Sequence, residues 1–301
     1  MARLRDRIRY QILRSRTASS ALKNVRSGFA MEQLRKRRVM AERYTCDTTC
    51  QDLASALNAD GYVILNKVLD PEALASLERA AAESLHASHA HAASAPEGTT
   101  SKAFWTRLLD NDLVDGRMPS KSAFTRFALQ PGLISVLCRA FGTLPQLDYV
   151  LLTQSKSTGR ELSQSQLWHR DHDDTRTIKV FTYLTDVSDE GDGPFTFVPG
   201  KESDRIGRTM RSHIDDAQLK GKLAGASAKA MIAPRLTTFA VETSRCLHMG
   251  SRIADGRHRL LYTATYTTFP KPFGSAVERF SLDGEETEVE RAILAPVSSW
   301  P

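Results

Sequence analysis

The chain has 301 residues, 41% of them hydrophobic and 25% charged, which is enough apolar content for a substantial core and too much for a disordered polymer. No stretch approaches the roughly 18 uninterrupted apolar residues that a membrane span needs. Four cysteines without a CxxC pair exclude a disulfide scaffold and a zinc ribbon, so a reducing, cytoplasmic setting is expected.

The net charge of +6 is unevenly spread. Residues 1–43 hold 13 Lys/Arg against 3 Asp/Glu, whereas the remainder holds 28 against 32. This predicts a basic helical arm over residues 1–45 and one larger domain over 46–301. In the arm, Leu4, Ile8 and Ile12 recur one helical turn apart among arginines, the pattern of an amphipathic basic helix. Such a segment suits peripheral membrane contact through residues 1–43, an organellar presequence, or nucleic acid. The plainer alternative is a solvated extension packed by its apolar stripe. Without interleaved aromatics for base stacking, no specific nucleic-acid partner is expected.

Beyond the arm, Thr48 or Thr49 is expected to cap a short helix ending near Gly61, with a strand at Tyr62–Leu65. Asp70-Pro71-Glu72 is a strong helix start, and Leu74, Leu77, Ala81 and Leu85 give that helix a core face. The small and polar run 86–101 reads as a loop whose His86, His89 and His91 lack acidic or cysteine partners and are expected to be surface residues. Two or three helical pieces are expected over Phe104–Phe141, carrying Trp105, Leu108 and Leu109, then Phe124 and Phe127, then Leu133 to Phe141.

After Leu147 the helical period stops. LDYVLLTQS, TIKVFTYLTDV, PFTFVPG, LTTFAV and RLLYTATYTTF are short, β-branched or aromatic runs separated by turn signals. Helices first and strands later predict an α+β fold: a double-stranded β-helix (a cupin-like jelly roll) backed by helices, with the basic helical extension in front. The acidic stretch Asp283–Glu290 reads as a solvated surface segment.

The chemistry lies in LWHRDHDD. On a strand, His169 and Asp171 project to one side while Arg170 and His172 point to the other. An imidazole and a carboxylate so placed are two ligands of a first-row metal. One further histidine would complete the two-His-one-carboxylate triad of non-haem Fe(II) oxygenases. His248 is the best candidate, since it follows a strand-like run and precedes the small residues Gly250 and Ser251. The turn at Asp255-Gly256 then places His248 and Arg259 in one hairpin. Neither face of the strand carrying Arg259 is plainly solvent, and a buried guanidinium needs a partner. With no acidic residue alternating nearby, a bound carboxylate cosubstrate fits that need.

DGYVILNKVLDPEALASL, LWHRDHDD, VFTYLTDV with GPFTFVPG, and HMGS with Arg259 together resemble the phytanoyl-CoA dioxygenase-like family of Fe(II)- and 2-oxoglutarate-dependent oxygenases, over roughly residues 60–269. The resemblance implies His169, Asp171 and His248 as iron ligands and Arg259 as the clamp on the distal carboxylate of 2-oxoglutarate. Gln154 resembles the glutamine that lines the cosubstrate pocket. Ser251 resembles the hydroxyl residue after the distal histidine, though it sits three positions past His248 rather than two. Lys179 and Phe181, on the strand after HxD, are expected to wall the pocket.

Halogenating relatives have Ala or Gly in place of the carboxylate, so Asp171 favours hydroxylation of a C–H bond by O2, with release of succinate and CO2. The substrate would be a small molecule, lipid or glycan, and Arg160, Lys179 and Arg170 hint that it is anionic. Two other classes fit part of the pattern. One is a cupin-like metal isomerase; the other is a non-catalytic scaffold using its basic arm.

Overall fold

The computed structural model describes residues 12, 15–44, 47–93, 104–206, 213–223, 225, 227–271 and 279–295. Most of the amphipathic run Leu4–Ile12 lies outside them. In chain order the helical half comprises α1 (Arg16–Phe29), α2 (Met31–Glu42), α3 (Thr48–Asp60), strand β1 (Tyr62–Ile64) and α4 (Pro71–Ala93). It continues with short strands β2 (Trp105–Arg107) and β3 (Met118–Pro119), then α5 (Ala123–Ala128) and α6 (Pro131–Phe141). The second half begins with β4 (Gln146–Lys156), β5 (Trp168–His169), β6 (Thr177–Tyr183), β7 (Thr196–Phe197) and α7 (Gly200–Ile206). Next come β8 (His213–Ile214), α8 (Asp216–Lys220), β9 (Lys229–Ala230), β10 (Thr238–Val241) and β11 (His248–Met249). The chain closes with β12 (His258–Thr267), β13 (Phe280–Ser281) and α9 (Glu288–Leu294).

Local chemistry sets most of these boundaries. Asp47, one position before the expected threonines, caps α3 by accepting the Cys50 N–H at 2.9 Å, and Gly61 closes the helix at a φ of 78°. Asp70 accepts the Glu72 N–H at the start of α4. That helix continues through His86 and His89 to Ala93, where a loop was expected. The alanines between the histidines are the strongest helix formers, and the small-residue composition concealed them. The Trp105 segment is an edge strand rather than a helix.

The strands form two antiparallel sheets, one of six strands in the order β1-β10-β6-β12-β4-β2 and one of five in the order β8-β5-β11-β7-β9. A third, two-stranded sheet pairs β13 with β3 in parallel. The larger sheet carries helices on its outer face, where Leu57, Leu77, Phe127, Leu133 and Ile134 pack against Leu152, Tyr262 and Tyr266. Tyr262 and Tyr266 donate from this sheet to the carbonyls of Phe124 and Ala128, both at 2.6 Å. A second core of Phe181, Tyr183, Phe195, Phe197 and Phe239 lies between the sheets. The acidic stretch Asp283–Glu290 is mostly exposed, with Glu286 its one buried residue, and beyond it Ala292, Ile293 and Leu294 of α9 enter the larger core.

The N-terminal helices rest on this body through buried polar groups and through Met40 of α2, which enters the larger core. Arg37 of α2 is buried and donates to the carbonyls of Leu144 (3.3 Å), Pro145 (2.8 Å) and Ala292 (2.7 Å), with its guanidinium over the Phe269 ring. Replacing it by methionine strands three buried acceptors, each worth about 1–3 kcal/mol. Arg37→Met is therefore expected to lower the stability measured by urea denaturation by about 3 kcal/mol. No helix among the described residues is long and apolar enough to cross a membrane.

Candidate active site

Strand pairing brings the predicted triad together. β5 and β11 are antiparallel neighbours in the smaller sheet, with His169 directly opposite His248. Residues in register on adjacent strands project to the same face, and the two rings stand 4.3 Å apart. After β5 the chain turns, and the Asp171 N–H donates to Thr243 O at 3.0 Å. This sets the carboxylate beside both imidazoles, with Oδ2 3.8 Å from His248 Nε2. One donor atom from each of His169, Asp171 and His248 lies within 4.8 Å of the others.

The ring nitrogens are oriented from outside. His169 Nδ1 faces Leu167 O at 2.8 Å, and His248 Nδ1 faces Cys246 O at 2.9 Å. A carbonyl can only accept, so each Nδ1 carries the proton and each Nε2 keeps its lone pair for the centre. Burial lowers both histidines, His248 to about 3, and keeps the imidazoles neutral. Burial alone would push Asp171 up, but the adjacent Lys179 ammonium outweighs it and holds the carboxyl ionised. Two neutral imidazoles and one carboxylate are the donor set of a divalent first-row metal, so these residues fit such an ion.

Lys179 is the unexpected member. It projects from β6 with its ammonium 2.8 Å from Asp171 Oδ2, both side chains being largely buried. Burial opposes the lysine's charge, yet Asp171, Tyr149 and Asp173 together raise its pKa well above the usual value. In the absence of metal, Lys179 is thus the compensating charge for Asp171. Lys179→Met should strand that carboxylate and cost the metal-free protein about 3–5 kcal/mol. A divalent ion supplies the missing charge, so anaerobic Fe(II) or Mn(II) should raise the variant's Tm by more than the wild type's. Equal metal-induced shifts, read by thermal denaturation, would contradict this.

Arg259 is almost fully buried. Its guanidinium donates to Gly193 O and, at 2.9 Å, to Ser251 Oγ, which also accepts from Ser155 at 3.1 Å. Among the described residues its Nε has no partner and no carboxylate pairs with it. Ser251 reaches this position through a left-handed φ of 61°. The hairpin expectation needs correction, because His248 lies in the smaller sheet and Arg259 in the larger; the connecting segment crosses between the sheets.

A cavity of about 600 Å³ opens over the inner face of the larger sheet and reaches His169 and Asp171. Register explains its wall. Tyr149, Thr265 and Lys179 form one cross-strand row; Leu151, Thr263 and Phe181 form the next; Arg107, Thr153, Leu261 and Tyr183 a third; and Trp105, Ser155 and Arg259 a fourth. Lys179 and Phe181 therefore wall the pocket. Gln154 does not. It alternates to the opposite face, level with Leu260, and is not among the lining residues. Arg160 does not line the cavity either, and Arg170 is buried elsewhere, donating to the carbonyls of Arg245 (2.7 Å) and Ser203 (2.5 Å). The cavity's other cations are Arg107 and Arg279, which sequence reasoning missed. His213, which the sequence sets in a charged stretch and which ranks behind His248 there, is placed by β8 opposite His169 with the rings 5.3 Å apart.

No protein-family model matches the sequence, and no curated protein matches it. Solved structures do resemble the fold. EctD from S. alaskensis with 2-oxoglutarate and 5-hydroxyectoine superposes with a TM-score of 0.51 at 16% identity, covering 72% of this chain and 76% of that one. EctD with bound Fe gives 0.51 at 17% identity, covering 71% and 75%. The epimerase SnoN in complex with Fe3+, alpha ketoglutarate and nogalamycin RO gives 0.49 at 18% identity, covering 73% and 83%. At such identity the likeness to EctD is one of fold: two antiparallel sheets facing each other, backed by helices.

Proposed function

We propose that the chain is an Fe(II)- and 2-oxoglutarate-dependent dioxygenase that hydroxylates a C–H bond of a small-molecule, lipid or glycan substrate. The observation that carries this is the convergence of His169, Asp171 and His248 on one point, with the buried Arg259 guanidinium, which pairs with no carboxylate among the described residues, facing the same cavity. Iron, 2-oxoglutarate and O2 would supply the redox chemistry, releasing succinate and CO2 as one oxygen atom enters the substrate.

The chain's own part is geometric and electrostatic. His169, Asp171 and His248 would hold the metal from one side and leave the cavity side open. Arg259, steadied by Ser251 and Gly193, would take the far carboxylate of the keto diacid. Phe181 and Phe195 exclude water; the Phe195 ring stacks 5.2 Å from that of His248. Arg107, Lys179 and Arg279 outnumber Asp110 and Asp171 on the wall, which supports an anionic substrate. The cavity volume suits a ligand of metabolite size.

The test is anaerobic addition of Fe(II) and 2-oxoglutarate, followed by air. A metal-to-ligand charge-transfer band and then succinate release are expected. Metal binding without the band would favour an isomerase on the same scaffold, and no metal binding would favour a non-catalytic scaffold.

A further inference from the structure

Helix α1 packs with its polar side inward. An amphipathic helix normally turns its apolar stripe to the core. Here the body-facing side presents Ser19, which is buried, and Lys23, whose ammonium meets Asp174 at 2.9 Å and also bonds Thr175 and Thr268. At 100° per residue, Ala18, Ala21, Val25 and Phe29 fall on the opposite side, and all four are exposed. Val25 is 58% and Phe29 89% exposed; Met31, at the start of α2, is 69% exposed. No described residue covers this stripe.

We propose that the outward face of α1 docks the protein on an anionic lipid bilayer. Charge selects this occupant. α1 carries no acidic residue. Arg35, Lys36 and Arg38 of α2 are exposed and make no ion pair among the described residues, against the exposed acids Glu32 and Glu42. The sequence ahead of α1 adds Arg3, Arg5, Arg7, Arg9 and Arg14 against Asp6. A second copy seated on the same face would bring like charges together. Nucleic acid would satisfy the arginines and leave Val25, Phe29 and Met31 in water. An anionic membrane answers both needs: apolar side chains sink to the acyl boundary while basic ones meet the headgroups.

Docking through α1 would also reach the candidate active site. The residue that holds Lys23 is Asp174, three positions beyond Asp171, so the helix is anchored to the segment that carries the candidate ligands.

The experiment is co-sedimentation of the full chain with phosphatidylcholine vesicles, with and without about 30% phosphatidylglycerol. Binding is expected to the anionic vesicles only and to fall steeply as NaCl rises to about 0.5 M. The Val25→Glu/Phe29→Glu variant should lose at least about tenfold in vesicle partitioning while keeping the wild-type Tm, and Phe29→Ser serves as a milder second variant. Three results would overturn the proposal. One is no sedimentation with anionic vesicles. Another is equal sedimentation of wild type and variants. The third is a concentration-dependent dimer that the same variants dissolve, which would give the face to a second copy.

Discussion

Asp171→Ala is expected to abolish metal binding and turnover, with a loss on the order of 10³ or more, because a buried carboxylate is the only anionic donor of the triad. The loss has a second cause peculiar to this chain. Removing the carboxylate leaves Lys179 as a buried, unpaired cation close to both imidazoles, so the site becomes positively charged and repels a divalent ion further. The unpaired lysine should also cost about 3–5 kcal/mol of stability in the metal-free protein. Adding Lys179→Met to Asp171→Ala removes the stranded charge and should restore most of that stability without restoring metal binding. Isothermal titration with Mn(II), alongside denaturant melts of the two single variants and the double, separates the effects. If Asp171→Ala alone kept the wild-type stability, the ion pair would have no such role.

The pairing of His169 and Asp171 as candidate ligands was legible because a two-residue spacing on a strand puts both side chains on one face. His248 was found through its small neighbours, and the register of β11 against β5 puts it directly opposite His169. His213 lies opposite His169 on the other flank, yet nothing local marks it; its place depends on a pairing between strands more than 40 residues apart. Gln154 shows how a one-residue offset misleads. Ser155 pairs with Arg259 and shares its face, so the neighbouring glutamine must point away.

The helical layer was partly legible for similar reasons. Asp70-Pro71 announces α4 locally, but its continuation through HASHAHAA required weighing alanine above the polar residues around it. Trp105, Leu108 and Leu109 mimic a helical stripe, although the edge of β4 captures Trp105–Arg107 as a strand. The acidic tail concealed Ala292, Ile293 and Leu294, three apolar residues in succession that a short helix turns into the core. Buried cations were the hardest to foresee. Lys23 and Arg37 read as solvated charges because their partners, Asp174 and three backbone carbonyls, are fixed only by the fold; Lys179 was legible as a pocket wall, but its pairing with Asp171 was not.

Arg259 allows a test in which stability and binding should part company. In the metal-free chain its guanidinium has two neutral acceptors, an unpartnered Nε and no counter-charge, and burial lowers its pKa. A charge held this way contributes little to folding, and an apolar side chain of similar length is often neutral or better. Arg259→Met should therefore leave stability within about 1–2 kcal/mol of wild type. The same change should weaken 2-oxoglutarate binding at least about 100-fold, since a buried charge-assisted pair with a carboxylate is worth about 2–5 kcal/mol. Metal affinity should hold, because Arg259 touches none of the triad. Arg259→Lys keeps the charge but not the two-pronged geometry, and should fall between the two. Fluorescence titration of 2-oxoglutarate into the Mn(II)-loaded variants, with urea melts of the same samples, measures both quantities. A large loss of stability with unchanged cosubstrate affinity would make Arg259 a structural residue and leave the cavity without its clamp.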